Sequence, residues 1–255
     1  MELFNTLVTK IREVIDNDNL PKFGVVEVTI QNGHSRDIVV SSKSFVTSDS
    51  GTISVISGSQ NGDGSYNDII RIAASSTSDS KFYFSDKYGF TRFGFHDNIG
   101  WNKSYVSFDL SQLSTCVNMK ELYLMSTQLG KISNFKLETI SNLVNLEKLY
   151  AAFSTLNGSS TVFKSLNKLT HILLVGSTIT DGLMNFGYCK KLETLNLENV
   201  LSLKGTIESF AQHQVNLGRK EGTCAITGNG IITHKEKAFS GTKTITYTNN
   251  GYTIA

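Results

Sequence analysis

Charge is scarce in this chain. Only 18% of its 255 residues are Asp, Glu, Lys or Arg, and the formal net charge is +2; an average domain carries about a quarter charged residues. With so little net charge, nothing marks a nucleic-acid partner. Proline occurs once, at Pro21, and cysteine three times, at Cys116, Cys189 and Cys224. That sparse, odd set argues against a disulfide framework, and its spacings are too wide for zinc ligands. No apolar run approaches the length of a membrane span, so no membrane partner is expected. The first residues, MELFNTLVTKIREVIDND, lack an uninterrupted apolar stretch and a small-residue cleavage site, so they do not form a secretory signal. The expectation is a protein that stays in a cytoplasm or leaves by a route other than secretion.

Catalytic signatures are missing too. There is no G-x-S-x-G elbow, P-loop or dinucleotide fingerprint. His34, His96, His171, His213 and His234 are scattered, with no pair at ligand spacing. Glu193 and Glu198 flank one expected strand and do not suggest a catalytic carboxylate pair. The stretch NGDGSYND (residues 61–68) alternates oxygen ligands as a calcium loop does. It has Tyr66 where such a loop needs glycine and Ile72 where it needs glutamate, so it reads as a hairpin loop. A protein without enzyme activity, metal or cofactor is expected.

What is present is period. At the N-terminus, Leu3, Phe4, Leu7, Val8, Ile11, Val14 and Ile15 fall at helical spacing and predict an amphipathic helix over residues 2–16. Asn17 to Asn19 and Pro21 end it. So apolar a helix suits anchoring or oligomerisation, and a homo-oligomer, dimer or trimer, is expected. From residue 24 to 100 short alternating runs such as VVEVTI, DIVV, TISVIS and KFYFSD are separated by Gly, Ser, Asn and Asp. They predict an antiparallel β domain over residues 21–100.

Residues 110–203 hold a repeat. Met119, Leu146, Leu169 and Leu192 start four copies, spaced by 27, 23 and 23 residues. Three residues on stand Leu122, Leu149, Ile172 and Leu195; five on stand Leu124, Ala151, Leu174 and Leu197. Three before each start come Cys116, Leu143, Leu166 and Cys189. Periods of about 20–29 residues mark stacked units, each a short strand with a returning helical turn. A looser fifth copy is read at Cys224, Ile226, Asn229 and Ile231. The end of the chain, GTKTITYTNNGYTIA, reads as a capping hairpin around Asn249-Asn250-Gly251.

The pattern in LEKLYAAFSTL and LTHILLVGSTI resembles the leucine-rich repeat family. Its usual asparagine column is here Thr127, Ser154, Ser177 and Val200, with asparagine only at Asn229. With the N-terminal helix (1–20) and the β domain read above, the resemblance gives an expected fold of the α+β class, in which residues 101–255 form a short parallel-strand solenoid with a hairpin cap. Residues between the core columns would face the concave side. Four after each start gives Tyr123, Tyr150, Leu173 and Asn196; six after gives Met125, Ala152, Val175 and Glu198, with His171 and Phe153 alongside. An exposed strip that is partly aromatic suits a protein or glycan ligand.

The low proline, the abundant Ser, Thr and Asn and the GSTITDG-type turns resemble repeat proteins of gut Bacteroidales and their crAss-like phages. A virion protein leaves by lysis and needs no export signal. The resemblance therefore implies a structural or binding subunit of a virion, a head fibre or tail-associated part, contacting other virion proteins or itself through its helix. The alternative is a cytoplasmic bacterial module for protein–protein interaction.

Overall fold

Alternation sets the first strands. In β1 (Val26–Ile30) Val26, Val28 and Ile30 are fully buried while Glu27 and Thr29 are half-buried. The same period runs through β5 (Ser80–Asp86), where Phe82 and Phe84 point inward. In the computed structural model, residues 26–60, 66–86, 89–95, 106–125, 132–154 and 156–255 are described. The expected helix over residues 2–16 lies outside them, as do residues 61–65 of the expected hairpin loop.

The remaining N-terminal strands are β2 (Ser35–Ser48), β3 (Thr52–Ser57), β4 (Tyr66–Ala73), β6 (Arg92–Phe95) and β7 (Val106–Asp109). The long β2 pairs antiparallel with β4, β5 and β6, and β1 lies between β5 and β7. Aromatic rings fill the space beneath. Phe84 meets Phe93 edge-on at 5.3 Å between centroids, and Phe95 meets Phe108 at 5.6 Å; such contacts add to the area term.

The repeat supplies short parallel strands: β8 (Glu121–Leu124), β10 (Lys148–Tyr150), β12 (His171–Leu173) and β14 (Thr194–Asn196). Leu122, Leu149, Ile172 and Leu195 stand side by side across them, all fully buried. Between the strands, 3₁₀ turns at Leu110–Leu113, Leu137–Ile140, Ser160–Lys164 and Leu183–Tyr188 return the chain. Asp109 and Ser159 cap two of them by accepting the Ser111 and Thr161 amides. The turns stack through their own core, with Phe163 on Phe186 at 4.2 Å. Two shorter strands, β11 (Asn157–Ser159) and β13 (Thr178–Thr180), form a small parallel sheet of their own, and β9 (Ile132–Ser133) pairs with β7.

One α-helix is present among the described residues, α1 (Ile207–Asn216). Thr206 caps it by accepting the Ser209 amide, and Ile207, Phe210 and Ala211 form its buried stripe. The chain ends in β15 (Thr223–His234), β16 (Lys237–Thr248) and β17 (Gly251–Ile254), joined antiparallel.

These strands correct the α+β expectation. The protein is mostly β, and a separate β domain beside a free-standing solenoid is not what forms. One mixed sheet of fifteen strands runs β17-β16-β15-β14-β12-β10-β8-β6-β2-β5-β1-β7-β9, with β4 against β2 and β3 against β4. The expected division near residue 100 is bridged by the sheet itself. β6 runs parallel to β8 from Arg92 beside Glu121 to Phe95 beside Leu124, and β1 pairs with β7. An open strand edge left by either part alone would expose unpaired amides and carbonyls; pairing the two parts removes that edge. The fifth copy is also shifted. Leu195 lies beside Ile226, two residues beyond the partner that a copy built on Cys224 requires.

Leu149 is fully buried at the centre of the parallel strands, whereas Glu147 is half-exposed. Leu149→Asp should therefore unfold the protein, since it buries a charge without a partner. Glu147→Ala should lower stability by less than about 1 kcal/mol, the worth of its surface pair with Lys120. Equal small shifts in melting temperature for both variants would show that Leu149 does not occupy the core.

Candidate binding face

Side chains alternate along each parallel strand. Since Leu122 and Leu124 point into the core, Glu121 and Tyr123 stand on the opposite face. Two rows run across that face. In the first, Arg92, Glu121, Lys148, His171 and Thr194 are neighbours; in the second, Gly94, Tyr123, Tyr150, Leu173 and Asn196 are neighbours.

The first row is an ion-pair chain. The Glu121 carboxylate accepts from Arg92 Nε at 3.0 Å, from Lys148 Nζ at 2.9 Å and from the Tyr123 hydroxyl at 2.7 Å. Arg92 also reaches Asp68 at 3.4 Å, and Asp68 accepts from Ser57 at 2.6 Å. Burial opposes ionisation of Glu121. The hydrogen bonds from Lys148 and Tyr123 and the charges of Lys148 and Arg92 outweigh it and hold the carboxyl below its ordinary range. Burial, then the bond to Glu121, pushes the Tyr123 phenol up to about 12. At the far end His171 Nδ1 lies 2.9 Å from the Thr170 hydroxyl, and its Nε2 lies 3.9 Å from Glu193.

The second row is aromatic. The rings of Tyr123 and Tyr150 stack at 5.0 Å with 24° between their planes, and both side chains remain half-buried. Gly94 stands beside them without a side chain. A Cβ there would lie 1.8 Å from the Tyr123 carbonyl oxygen. The bare glycine, itself buried, lets β6 and β8 approach closely.

The structure divides the expected site residues. Tyr123, Tyr150, His171, Leu173 and Asn196 share the face as half-buried neighbours. Ala152 and Val175 are buried, at 3% and 4% exposure, and do not extend the strip. The reason is local: β10 and β12 end at Tyr150 and Leu173, and the chain turns before the sixth position. Phe153, Gly176 and Asn199 all take positive φ at that turn. Met125 contributes its carbonyl to buried Arg36 at 2.6 Å, and Glu198 is exposed beyond the end of β14. Sequence reasoning missed Arg92, Asp68 and, in the column two residues after each start, Glu121 and Lys148, while it found His171 there. The alternating signs of Glu121 and Lys148 in that column were the available signal.

As chemistry, the face offers stacking surface, a charged row and hydroxyls. Cys116, Cys189 and Cys224 are buried free thiols. Burial pushes Cys116 up to about 11, Cys224 up to about 12 and Cys189 upward as well, which disfavours the thiolate needed for nucleophilic attack. Among the described residues no group of three His, Cys, Asp or Glu side chains converges as a metal site.

The lowered Glu121 carboxyl makes a pH prediction. Its contribution to stability is complete above the ordinary carboxylate range, near about 4.3, and is lost as pH falls through the lower folded value. At neutral pH, Glu121→Gln should cost about 1–2 kcal/mol in urea unfolding, because Arg92 and Lys148 lose a charged acceptor. As pH falls through the lowered folded value, the difference should shrink towards zero. A difference that stays constant across that range would show that the carboxylate charge is not what holds the row. Comparison with protein-family models and with curated proteins finds no match to this chain.

Proposed function

We propose that this is a non-enzymatic binding protein that presents the Tyr123–Tyr150 face to a protein or glycan partner as a structural subunit of a phage virion. The observation that carries the binding reading is the stacked, half-buried tyrosine pair clamped by Glu121, Arg92 and Lys148. A rigid aromatic surface loses little side-chain entropy on contact, and aromatic residues dominate interface hot spots. The sheet holds the pair from both sides, so the face is organised before a partner arrives. The virion role is supported by the resemblance in composition and turn style described above.

The test is the binding of fluorescently labelled protein to intact Bacteroidales cells. The Tyr123→Ala/Tyr150→Ala double variant, checked for unchanged melting, should bind at least about tenfold more weakly than the parent chain. Parent protein that fails to bind any such host would remove the host-surface role. Equal binding by the variant would move the contact away from this face.

A further inference from the structure

A second site lies at the other end of the parallel strands. A cavity of about 830 Å³ opens where the turn before β14, the link from α1 to β15 and the turn between β16 and β17 meet. Its lining carries Lys190, Lys191, Arg219 and Lys220 against Glu193 and Glu221. Four cations less two carboxylates leave +2, as much as the formal net charge of the whole chain.

The floor is Arg219, only 8% exposed. Nη1 donates to the Leu192 carbonyl at 2.8 Å and to Gln214 Oε1 at 2.9 Å, and Nη2 to the Thr223 carbonyl at 2.8 Å. Nε reaches the Glu221 carbonyl at 3.4 Å, and the Tyr247 ring lies 4.0 Å from the guanidinium. Every one of these partners is neutral. A buried cation with no carboxylate against it among the described residues projects its field into the adjoining space, where screening is weak.

The rim adds mobile charge. Lys190, Lys191 and Lys220 are exposed and make no ion pair among the described residues. Lys81, Lys120 and Lys148, elsewhere on the sheet, each meet a glutamate within 3.1 Å. The remaining groups suit hydroxyls: the Glu193 and Glu221 carboxylates can accept, and the Asn249 amide can also bond. The volume falls within the range of small-molecule sites, roughly 300–1,000 Å³.

We propose that this cavity binds an anionic saccharide, a sugar unit carrying a phosphate or a carboxylate. The charged group would sit over Arg219 among the lysines, and the ring hydroxyls would face Glu193, Glu221 and Asn249.

The experiment is an amide NMR titration of the full chain with glucose 6-phosphate, glucuronate, glucose and inorganic phosphate. At least one of the two anionic sugars should shift the Thr170, Gly222 and Asn249 amides with Kd near about 1 mM or tighter, and at least about tenfold more tightly than glucose or phosphate alone. Lys190→Glu/Lys220→Glu, with melting unchanged, should abolish the response. The proposal is overturned if neither anionic sugar produces those shifts, if inorganic phosphate binds as tightly as the better sugar, or if the charge-reversed variant responds like the parent. Tyr123→Ala/Tyr150→Ala should leave this response intact, so the two sites fail or stand separately.

Discussion

Gly94→Ala is expected to destroy the native fold in one cooperative transition, with a loss of more than about 4 kcal/mol. Two effects add. Gly94 sits at φ +137°, a conformation that side chains rarely adopt, and an added Cβ would lie 1.8, 2.6 and 2.8 Å from the oxygen, carbon and nitrogen of Tyr123. All three are backbone atoms, so no rotamer change relieves the clash; the strands must separate. The position matters because β6 joins the two halves of the sheet, with Gly94 beside Val39 on one side and Tyr123 on the other. Hydrogen exchange on the variant should show amides around Ile38 and Leu195 losing protection together. Loss in one half with full protection in the other would make the halves independent units. Gly33→Ala is the control. It too has positive φ, +69°, but nothing lies within 4 Å, so it should cost about 1 kcal/mol.

Asn229→Ala should cost about 3–5 kcal/mol. The side chain is 7% exposed and serves four backbone groups. Nδ2 donates to the Val200 and Leu203 carbonyls at 2.7 and 3.0 Å, and Oδ1 accepts from the Ile231 and Ile232 amides at 2.8 and 2.7 Å. Alanine would leave all four without that partner inside the protein, and a buried unsatisfied group costs about 1–3 kcal/mol. Hydroxyls elsewhere do less. Ser154 donates to the Ala151 carbonyl at 2.8 Å, while the Ser177 hydroxyl is buried with no partner among the described residues. Ser177→Ala should therefore change stability by less than about 1 kcal/mol, in either direction. Urea unfolding of both variants separates the cases: a cost for Asn229→Ala no larger than for Ser177→Ala would show that the amide is not the clamp.

That contrast bears on what the missing asparagine column means. A single amide can satisfy two donors and two acceptors, whereas a hydroxyl has one proton to give. Asn229 stands in β15, which leaves the parallel register and turns back antiparallel into β16. Two of its four bonds fasten that strand to the turn at Val200 and Leu203, and the other two hold the backbone of β15 itself at Ile231 and Ile232. The resemblance drew attention to the residue; its four partners appear only in three dimensions.

The sequence by itself determined which core columns of the repeat are buried. Met119, Leu146, Leu169 and Leu192 are fully buried, and so are the columns three and five residues beyond them. Tyr123 and Tyr150 follow from the same count, because alternation along a strand leaves the residue between two core positions on the other face. Only the tertiary structure decided which strand lies beside which. Nothing in the period of β6 says that it runs parallel to β8, and nothing in Arg92 or Asp68 says that they meet Glu121. The α1 helix, with Ile207, Phe210, Ala211 and the half-buried Val215 as its apolar stripe, was equally hidden. The burial of Ala152 and Val175 depends on where β10 and β12 stop. The reason is physical. Side-chain period reports the local geometry of a strand, but its partner is chosen by packing and by the pairing of edges between segments far apart in the chain.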